Sequence, residues 1–220
     1  MPLTCADPYP DSPSPVIDGA DILGARLTNL DLYAEWEAQF KPLLEGKRWE
    51  AFSHIVRDQL LRARPVIVET GTLREPDNWQ GDGNSTRVWD WILERKGVGY
   101  SVDSSLTAVS VARTYCKHIR VIWHDSLPTL VGLRNKDLYP APTLLYLDSY
   151  DYFPGQELNA AMHQVAELSI MWERLPAGCL IASDDNFGPG SGKGALLRNL
   201  MDSLGIKPVL DSYITVWRKP

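Results

Sequence analysis

The chain has 220 residues, a formal net charge of -6 and a hydrophobic fraction of 44%. This length suits one well-cored domain, and the negative charge without a Lys/Arg stripe argues against a nucleic-acid partner. No apolar run approaches the roughly 20 residues of a membrane helix, and the three cysteines give no disulfide pattern, so we expect a cytoplasmic protein with no membrane partner.

The N-terminal region divides into two parts. Residues 1–20 are rich in proline with few apolar anchors, which predicts an irregular arm. Residues 21–64 predict a helical cap, because Leu32, Trp36 and Phe40 begin an apolar series at spacings of three and four. Gly46 is predicted to end the first of two helices there. The arm and the cap could mediate a homodimer.

Strands and helices alternate over residues 65–220. Short β-branched runs predict strands at 66–69, 99–102, 119–123, 143–147 and 180–183, and helical patterns lie at 86–95, 106–117, 157–174 and 195–204. Two closing runs, 207–210 and 213–217, predict an antiparallel return. Together they predict an α/β domain with a doubly wound, mostly parallel seven-stranded sheet and an antiparallel C-terminal edge.

The first predicted strand ends in Glu69-Thr70-Gly71-Thr72. A glycine here lets the backbone pass close to a ligand, and Ser85, which precedes Thr86, is predicted to cap the next helix. The segment 73–83 lies between them, so this region is not a G-x-G-x-x-G turn and does not suit a dinucleotide. A loop of this length is commonly functional, although it could be a plain insertion.

Acidic residues also end the second and third predicted strands. Asp103, followed by Ser104, is suited to accept hydrogen bonds from both hydroxyls of a ribose, or it could only cap the next helix. Asp125-Ser126 follows the third strand and could bind an adenine amino group, a weak signal by itself because such pairs are common at turns.

The most specific feature is a set of oxygen-bearing residues after the fourth and fifth predicted strands. Asp148 and Asp151 follow one strand, and Asp184, Asp185 and Asn186 follow the other. Neighbouring strand ends lie about 4.8 Å apart, so crowded carboxylates would repel unless a cation compensated. Their chemistry suits Mg²⁺, with Ca²⁺ or Mn²⁺ as alternatives. The other interpretation is that these acids cap turns and helix starts.

Three further features bear on the site. The glycine-rich run 188–194 lacks the spacing of a phosphate-binding loop and predicts a mobile lid or substrate loop. Trp79, Tyr150 and Tyr152 could form an aromatic wall over a ring-bearing substrate. His163, in the middle of a helical pattern, is interpreted as a packing or surface residue.

Residues 66–217 resemble the class I S-adenosylmethionine-dependent methyltransferases, and most of all the magnesium-dependent O-methyltransferases around catechol, caffeoyl-coenzyme A and macrocin O-methyltransferases. The resemblance implies S-adenosylmethionine as cofactor, with the methionine part at Glu69-Thr70-Gly71, the ribose at Asp103 and the adenine at Asp125. The full cofactor set that we predict is Glu69, Gly71, Thr72, Ser85, Thr86, Asp103, Ser104, Asp125 and Ser126. The resemblance also implies Mg²⁺, or another divalent cation, at Asp148, Asp185 and Asn186.

The chain departs from this pattern at the base. The catechol-type enzymes carry a lysine three residues after the first metal acid, where this chain has Asp151, which could act as the catalytic base or join the metal site. We therefore expect metal-assisted methyl transfer to a hydroxyl of a small-molecule acceptor, a sugar or an aromatic. Two alternatives stay open: a cephalosporin-hydroxylase-like enzyme on the same fold, and a module that binds S-adenosylmethionine without turnover.

Overall fold

The computed structural model describes residues 29–81, 83–136, 139–188 and 190–220. The predicted arm and the start of the predicted cap lie outside these residues. The helices are α1 (Asn29–Phe40), α2 (Gly46–Leu61), α3 (Ser85–Arg95), α4 (Leu106–Tyr115), α5 (Ser126–Leu133), α6 (Glu157–Met171, continued by a 3-10 turn at Trp172–Arg174) and α7 (Ala195–Ser203). The strands are β1 (Val66–Thr70), β2 (Val98–Asp103), β3 (Arg120–Trp123), β4 (Leu144–Leu147), β5 (Leu180–Ser183), β6 (Pro208–Asp211) and β7 (Thr215–Arg218).

The strands form one seven-stranded sheet in the order β3-β2-β1-β4-β5-β7-β6. β1 to β5 are parallel, and β7 runs antiparallel to both β5 and β6. The predicted α/β fold is therefore confirmed. The strand order reverses between β1 and β4, and ligands of such sheets bind at the carboxyl ends of the strands where this reversal occurs.

Hydrophobic clusters cover both faces of the sheet. One contains Trp36 and Phe52 from the helical cap with Trp89 of α3 and Tyr146 of β4. The other contains residues of α5, α6 and α7 with Trp217 of β7. The helical cap thus shares a core with the sheet and is fixed relative to the carboxyl ends of its strands.

Two local predictions differ from the structure, and one helix was not predicted. Gly46 does not end the first helix but begins α2, with a φ of +50°. Ser85 is the first residue of α3 and Asn84 holds the cap position, because the Ser85 hydroxyl turns inward. α5 was not predicted, since Pro128 and Gly132 interrupt its helical pattern.

Among the described residues, no helix is both long enough and apolar enough to span a bilayer. The homodimer and the cytoplasmic location stay predictions.

Candidate functional site

Two cavities open at the carboxyl edge of the parallel strands. The large cavity has a volume of about 750 Å³ and the small one about 100 Å³. Gly71, Arg74 and Asp151 line both cavities, so these residues form a shared wall. The geometry therefore offers one space of ligand size and a smaller space that meets it at the end of β1.

The turn after β1 is held by backbone contacts. Gly71 has a φ of +84°, and a Cβ built there would lie 2.7 Å from the carbonyl oxygen of Asp148. The Gly71 N–H donates to the carbonyl of Val102 at 2.8 Å, and the Thr72 N–H donates to Asp103 Oδ2 at 3.2 Å. Only glycine suits this position, because of both the backbone conformation and the contact with β4.

Asp103 both fixes local structure and borders the large cavity. Its Oδ1 accepts from the Ser105 N–H at 2.7 Å, while Ser105 itself caps α4 by accepting from Ala108. Asp103 and the exposed Ser104 line the large cavity. Asp103 can therefore support the start of α4 and also face a ligand in the large cavity. Its contact with a ribose stays a prediction.

The third strand exit also reaches the large cavity. Asp125 caps α5 by accepting from the Leu127 N–H at 2.9 Å. Ser126 Oγ lies 2.9 Å from His163 Nε2, which is 3.2 Å from Glu167 Oε1. The hydrogen bond to Glu167 raises the pKa of His163, although burial acts in the opposite direction. His163 lines the cavity with Asp125 and Ser126, so its interpretation as a mere packing or surface residue was incomplete.

Glu69 lies at the centre of a buried network and lines neither cavity. Its carboxyl group accepts hydrogen bonds from Ser85 Oγ and Thr86 Oγ1, each at 2.7 Å, from Trp89 Nε1 at 2.8 Å and from Ser101 Oγ at 2.6 Å. Burial raises the pKa of Glu69 to about 8, and the bonds from Ser101, Ser85 and Thr86 oppose this rise.

In this network the side-chain polar groups of Glu69, Ser85 and Thr86 are turned toward one another, and the predicted contact of these residues with the cofactor stays a prediction. Ser101 Oγ also donates to the carbonyl of Gly71 at 3.0 Å. The network therefore supports the Gly71 turn from inside the protein. Thr72 is buried as well, but it lines the small cavity.

A lysine lies between the acids that follow β4 and β5. Lys193 Nζ is 2.8 Å from Asp148 Oδ1 and 2.9 Å from Asp185 Oδ2. Burial lowers the pKa of Lys193, but these two carboxylates together raise it above its usual value. Burial also raises the pKa of Asp185, yet Lys193 and the Tyr213 hydroxyl outweigh this effect and lower it. The arrangement is an ion pair of one ammonium with two carboxylates.

Asp184 is more deeply buried than Asp185 and has different partners. Its Oδ2 accepts from the Tyr146 hydroxyl at 2.7 Å and lies 3.9 Å from Arg48 Nη1. Arg48 comes from α2 and is buried against the rings of Phe52 and Tyr213. Both Arg48 and Asp184 line the small cavity, so the helical cap contributes directly to the site.

The predicted metal set is not assembled. The Asn186 amide nitrogen donates to the Ser183 carbonyl at 2.6 Å, and Asn186 lines neither cavity. Lys193 occupies the space between Asp148 and Asp185. Across the described ranges, no three His, Cys, Asp or Glu side chains are grouped to hold a metal ion. The donor set therefore does not fit the Mg²⁺ that the resemblance implied.

Asp151 and Arg74 form an ion pair where the two cavities meet. Arg74 Nη1 lies 2.5 Å from Asp151 Oδ1, and both side chains are partly exposed. Arg74 belongs to the segment 73–83, and Gly81 and Gly83 of that segment line the small cavity. The insertion therefore contributes to the wall of the site.

The predicted aromatic wall forms only in part. Tyr150 lines the large cavity. Tyr152 packs against Phe187 with ring centroids 5.4 Å apart. Trp79 instead packs edge-on against Phe40 of α1 at 5.7 Å, because it joins the aromatic core beneath the cap. Trp79 therefore belongs to the fold rather than to a substrate wall.

Sequence reasoning missed several residues of the site, among them Arg48, Arg74, His163, Lys193 and Tyr213. Lys193 had a local signal, since it lies in Gly-Lys-Gly shortly after Asp184-Asp185-Asn186. Arg48 had none, because it is one polar residue in an amphipathic helix. The predicted lid is also corrected in part, since Gly192 and Gly194 pack closely against residues that follow β5.

No family model matches the chain, and no curated protein matches it by sequence. Among solved structures, it is similar to the MycE methyltransferase of the mycinamycin biosynthetic pathway, solved with Mg and SAH, with a TM-score of 0.59 and 16% identity over 85% of this chain and 54% of that one. It is also similar to the TDP-rhamnose 3'-O-methyltransferase CalS11, with a TM-score of 0.54 and 14% identity over 87% and 92% of the two chains.

A third similar structure is the O-methyltransferase NovP, with a TM-score of 0.52 and 16% identity over 79% of each chain. The chain spans about half the length of MycE, at 54% of that chain. These similarities confirm the Rossmann-like methyltransferase fold that the sequence predicted.

Proposed function

We propose that this chain is an S-adenosylmethionine-dependent methyltransferase that methylates a hydroxyl group of a small molecule. The observation that carries the proposal is the meeting of two cavities at Gly71, Arg74 and Asp151, at the carboxyl end of β1. This is the place where sheets of this topology bind ligands. The similar structures MycE, NovP and CalS11 are all named methyltransferases, and two of them O-methyltransferases, which supports the proposal.

The large cavity suits S-adenosylmethionine in size and charge. Its volume of about 750 Å³ lies within the range of about 300–1,000 Å³ for small-molecule sites. Its wall carries Asp103, Asp125 and Asp151 against one arginine, Arg74, and this acidic excess suits a ligand with a sulfonium and an ammonium group. Asp103 would accept hydrogen bonds from the ribose hydroxyls, and the Gly71 turn would lie beside the methionine part.

The small cavity would hold only the reacting group of the acceptor. Its volume of about 100 Å³ is far below that of the large cavity, about 750 Å³. The rest of an acceptor would extend through the opening beside Arg74 and Asp151. A hydroxyl group placed there would face the wall that both cavities share.

The protein has two chemical tasks: it aligns the acceptor oxygen with the methyl group, and it removes the hydroxyl proton. S-adenosylmethionine, when bound, supplies a sulfonium methyl group that an oxygen nucleophile can take. Asp151 would accept the hydroxyl proton, while Arg74 holds its carboxylate in place. Alignment of the oxygen within a confined site lowers the barrier further. We assign no step to a metal ion, because the acids that would hold it are paired with Lys193.

Two measurements test the proposal. Calorimetry should show that the wild-type protein binds S-adenosylhomocysteine. Incubation with S-adenosylmethionine that carries a labelled methyl group, over a panel of catechols and TDP-sugars, should transfer the label to an acceptor. Product mass separates added CH₂ from an added oxygen atom, and so distinguishes methylation from hydroxylation. We expect Asp151→Asn to lower turnover by about 10²–10⁴-fold with unchanged affinity for S-adenosylhomocysteine.

The outcomes are distinct. Failure of the folded wild-type protein to bind S-adenosylhomocysteine would contradict the proposal. Binding without label transfer to any acceptor would favour the binding module that the sequence left open.

A further inference from the structure

The ammonium of Lys193 is enclosed at the site where a divalent cation was predicted. Its side chain is 4% exposed, and Nζ lies 2.8 Å from Asp148 Oδ1, 2.9 Å from Asp185 Oδ2 and 3.4 Å from the Asp148 carbonyl. An ammonium has three hydrogens, and each has an acceptor here. Burial of a charge is tolerated only with such pairing.

The backbone around Lys193 is built for this placement. The Lys193 N–H donates to the Asp185 carbonyl at 3.1 Å. A Cβ at Gly192 would lie 2.1 Å from that carbonyl oxygen, and a Cβ at Gly194 would lie 2.2 Å from Asn186 Oδ1. Glycine on both sides of Lys193 therefore lets the chain lie directly on the residues that follow β5.

The other oxygens of the cluster also have donors. Asp185 Oδ1 accepts from the Tyr213 hydroxyl. Asp184 Oδ1 accepts from the Asp185 N–H at 2.8 Å, and Asp184 Oδ2 from the Tyr146 hydroxyl at 2.7 Å. A divalent ion at this place would have to displace Lys193 and compete with these hydrogen bonds, close to the guanidinium of Arg48.

We infer that Lys193 is the permanent cation of this site and that the wild-type chain takes up no divalent ion between Asp148 and Asp185. The ammonium offsets one of the two carboxylate charges and donates hydrogen bonds to both groups. The cation occupancy does not depend on methyl transfer and so goes beyond the proposed function. If the proposed function holds, the acceptor oxygen would lie beside this ion pair, because Lys193 lines the small cavity.

The experiment uses Mn²⁺ as the probe, with electron paramagnetic resonance to count the bound ions. We expect wild-type protein to bind none at this site. Lys193→Ala should bind about one equivalent, because the removed side chain leaves Asp148 and Asp185 unpaired in a space that suits an oxygen-ligated cation. The melting temperature of Lys193→Ala should therefore rise with Mn²⁺, whereas that of the wild-type protein should not.

Two variants serve as controls. Lys207→Ala also removes a lysine from an ion pair, with Asp202 at 2.8 Å, but at an exposed place, so it should gain no Mn²⁺ site. Adding Asp148→Asn to Lys193→Ala should abolish the new site. Stoichiometric Mn²⁺ binding by the wild-type protein that Asp148→Asn removes would overturn the inference, and this titration decides it even where Lys193→Ala does not fold. A folded Lys193→Ala that binds no Mn²⁺ would overturn it equally.

Binding of S-adenosylhomocysteine separates this result from the proposed function. Lys193 does not line the large cavity, so the affinity should be the same in chelator and in Mn²⁺. If the proposed function is wrong, the protein should not bind S-adenosylhomocysteine under either condition. The Mn²⁺ titration would still test the inference about Lys193.

Discussion

The backbone of Gly71 lies directly on the backbone of Asp148. A Cβ at Gly71 would be 2.7 Å from the Asp148 carbonyl oxygen and 3.0 Å from its carbonyl carbon. The two residues follow neighbouring parallel strands, β1 and β4, at the point where the strand order reverses. The contact therefore fixes the distance between the wall of the large cavity and the carboxylates of the small one.

We expect Gly71→Ala to lower the free energy of unfolding by about 2–4 kcal/mol, since it adds a strained φ to an overlap with β4. It should also weaken the binding of S-adenosylhomocysteine. Gly155→Ala is a matched control, because Gly155 has a φ of +86° but no atom within 4 Å of its Cβ position. Gly155→Ala should lower the free energy of unfolding by only about 1–2 kcal/mol. Urea unfolding of both variants provides the measurement, and equal losses would contradict the importance of the contact.

We expect Asp103→Ala to weaken the binding of S-adenosylhomocysteine by about 10–100-fold, because a charge-assisted hydrogen bond is worth about 1.5–3 kcal/mol. Asp90→Ala is the control for stability. Asp90 Oδ1 accepts three backbone N–H groups, from Lys117, His118 and Ile119, and Asp90 lines neither cavity. Both variants should lose about 1–3 kcal/mol of stability, but calorimetry should find the ligand affinity changed only in Asp103→Ala. Equal affinities in the two variants would contradict a role of Asp103 in binding the ribose.

Glu69 should make the stability depend on pH. Its pKa is raised from 4.5 to about 8, with burial as the main cause. The stabilisation that protonated Glu69 gives the folded state is fully present below about pH 4.5. It is lost as the pH rises toward 8, because the folded state keeps a proton that the unfolded state releases. The free energy of unfolding should therefore fall over this window, by at most about 1.4 kcal/mol per pH unit for one group.

Glu69→Gln should reduce this slope. Asp148 and Asp184, whose pKa values are also raised by burial, act in the same direction in both proteins. The difference between the slopes therefore reports Glu69. Urea unfolding at several pH values gives the slopes, and identical ones would show that Glu69 is ionised throughout.

We expect Arg48→Met to destabilise the protein by about 3–5 kcal/mol near neutral pH, because it leaves the buried Asp184 without its cation. This loss of stability should become smaller as the pH falls. The pKa of Asp184 would rise further without Arg48, and a protonated Asp184 needs no counter-charge. Arg57→Met on the same helix is the control, because Arg57 is exposed and stacks on Tyr33. A loss of stability that does not change with pH would contradict the pairing of Arg48 with Asp184.

Much of the fold could be predicted because its signals are local. Short apolar runs that end in small or polar residues predicted the five parallel strands, because strands buried on both faces of a sheet have this pattern. Gly71 and Asp103 were identified because both follow predicted parallel strands, whose carboxyl ends form the ligand edge of such sheets. The structure places both of them on the wall of the large cavity.

The electrostatics of the small cavity could not be predicted in the same way. Lys193 reaches Asp148 across a long stretch of sequence, through a backbone approach that only the folded chain reveals. The Asp-Asp-Asn pattern is the same whether a metal ion or an ammonium lies between the carboxylates. Arg48 depends on how α2 packs against β4 and Tyr213, and helical periodicity carries no information on that.

The edge-on contact of Phe40 with Trp79 joins the first helix to the segment that carries Arg74. A chimera whose first helix lacked an aromatic ring at the position of Phe40 would leave Trp79 without this partner ring and would weaken the packing of the segment that carries Arg74. The helix pair and the loop therefore form one transplantable unit, and any attempt to change acceptor preference by exchange of segments should move them together.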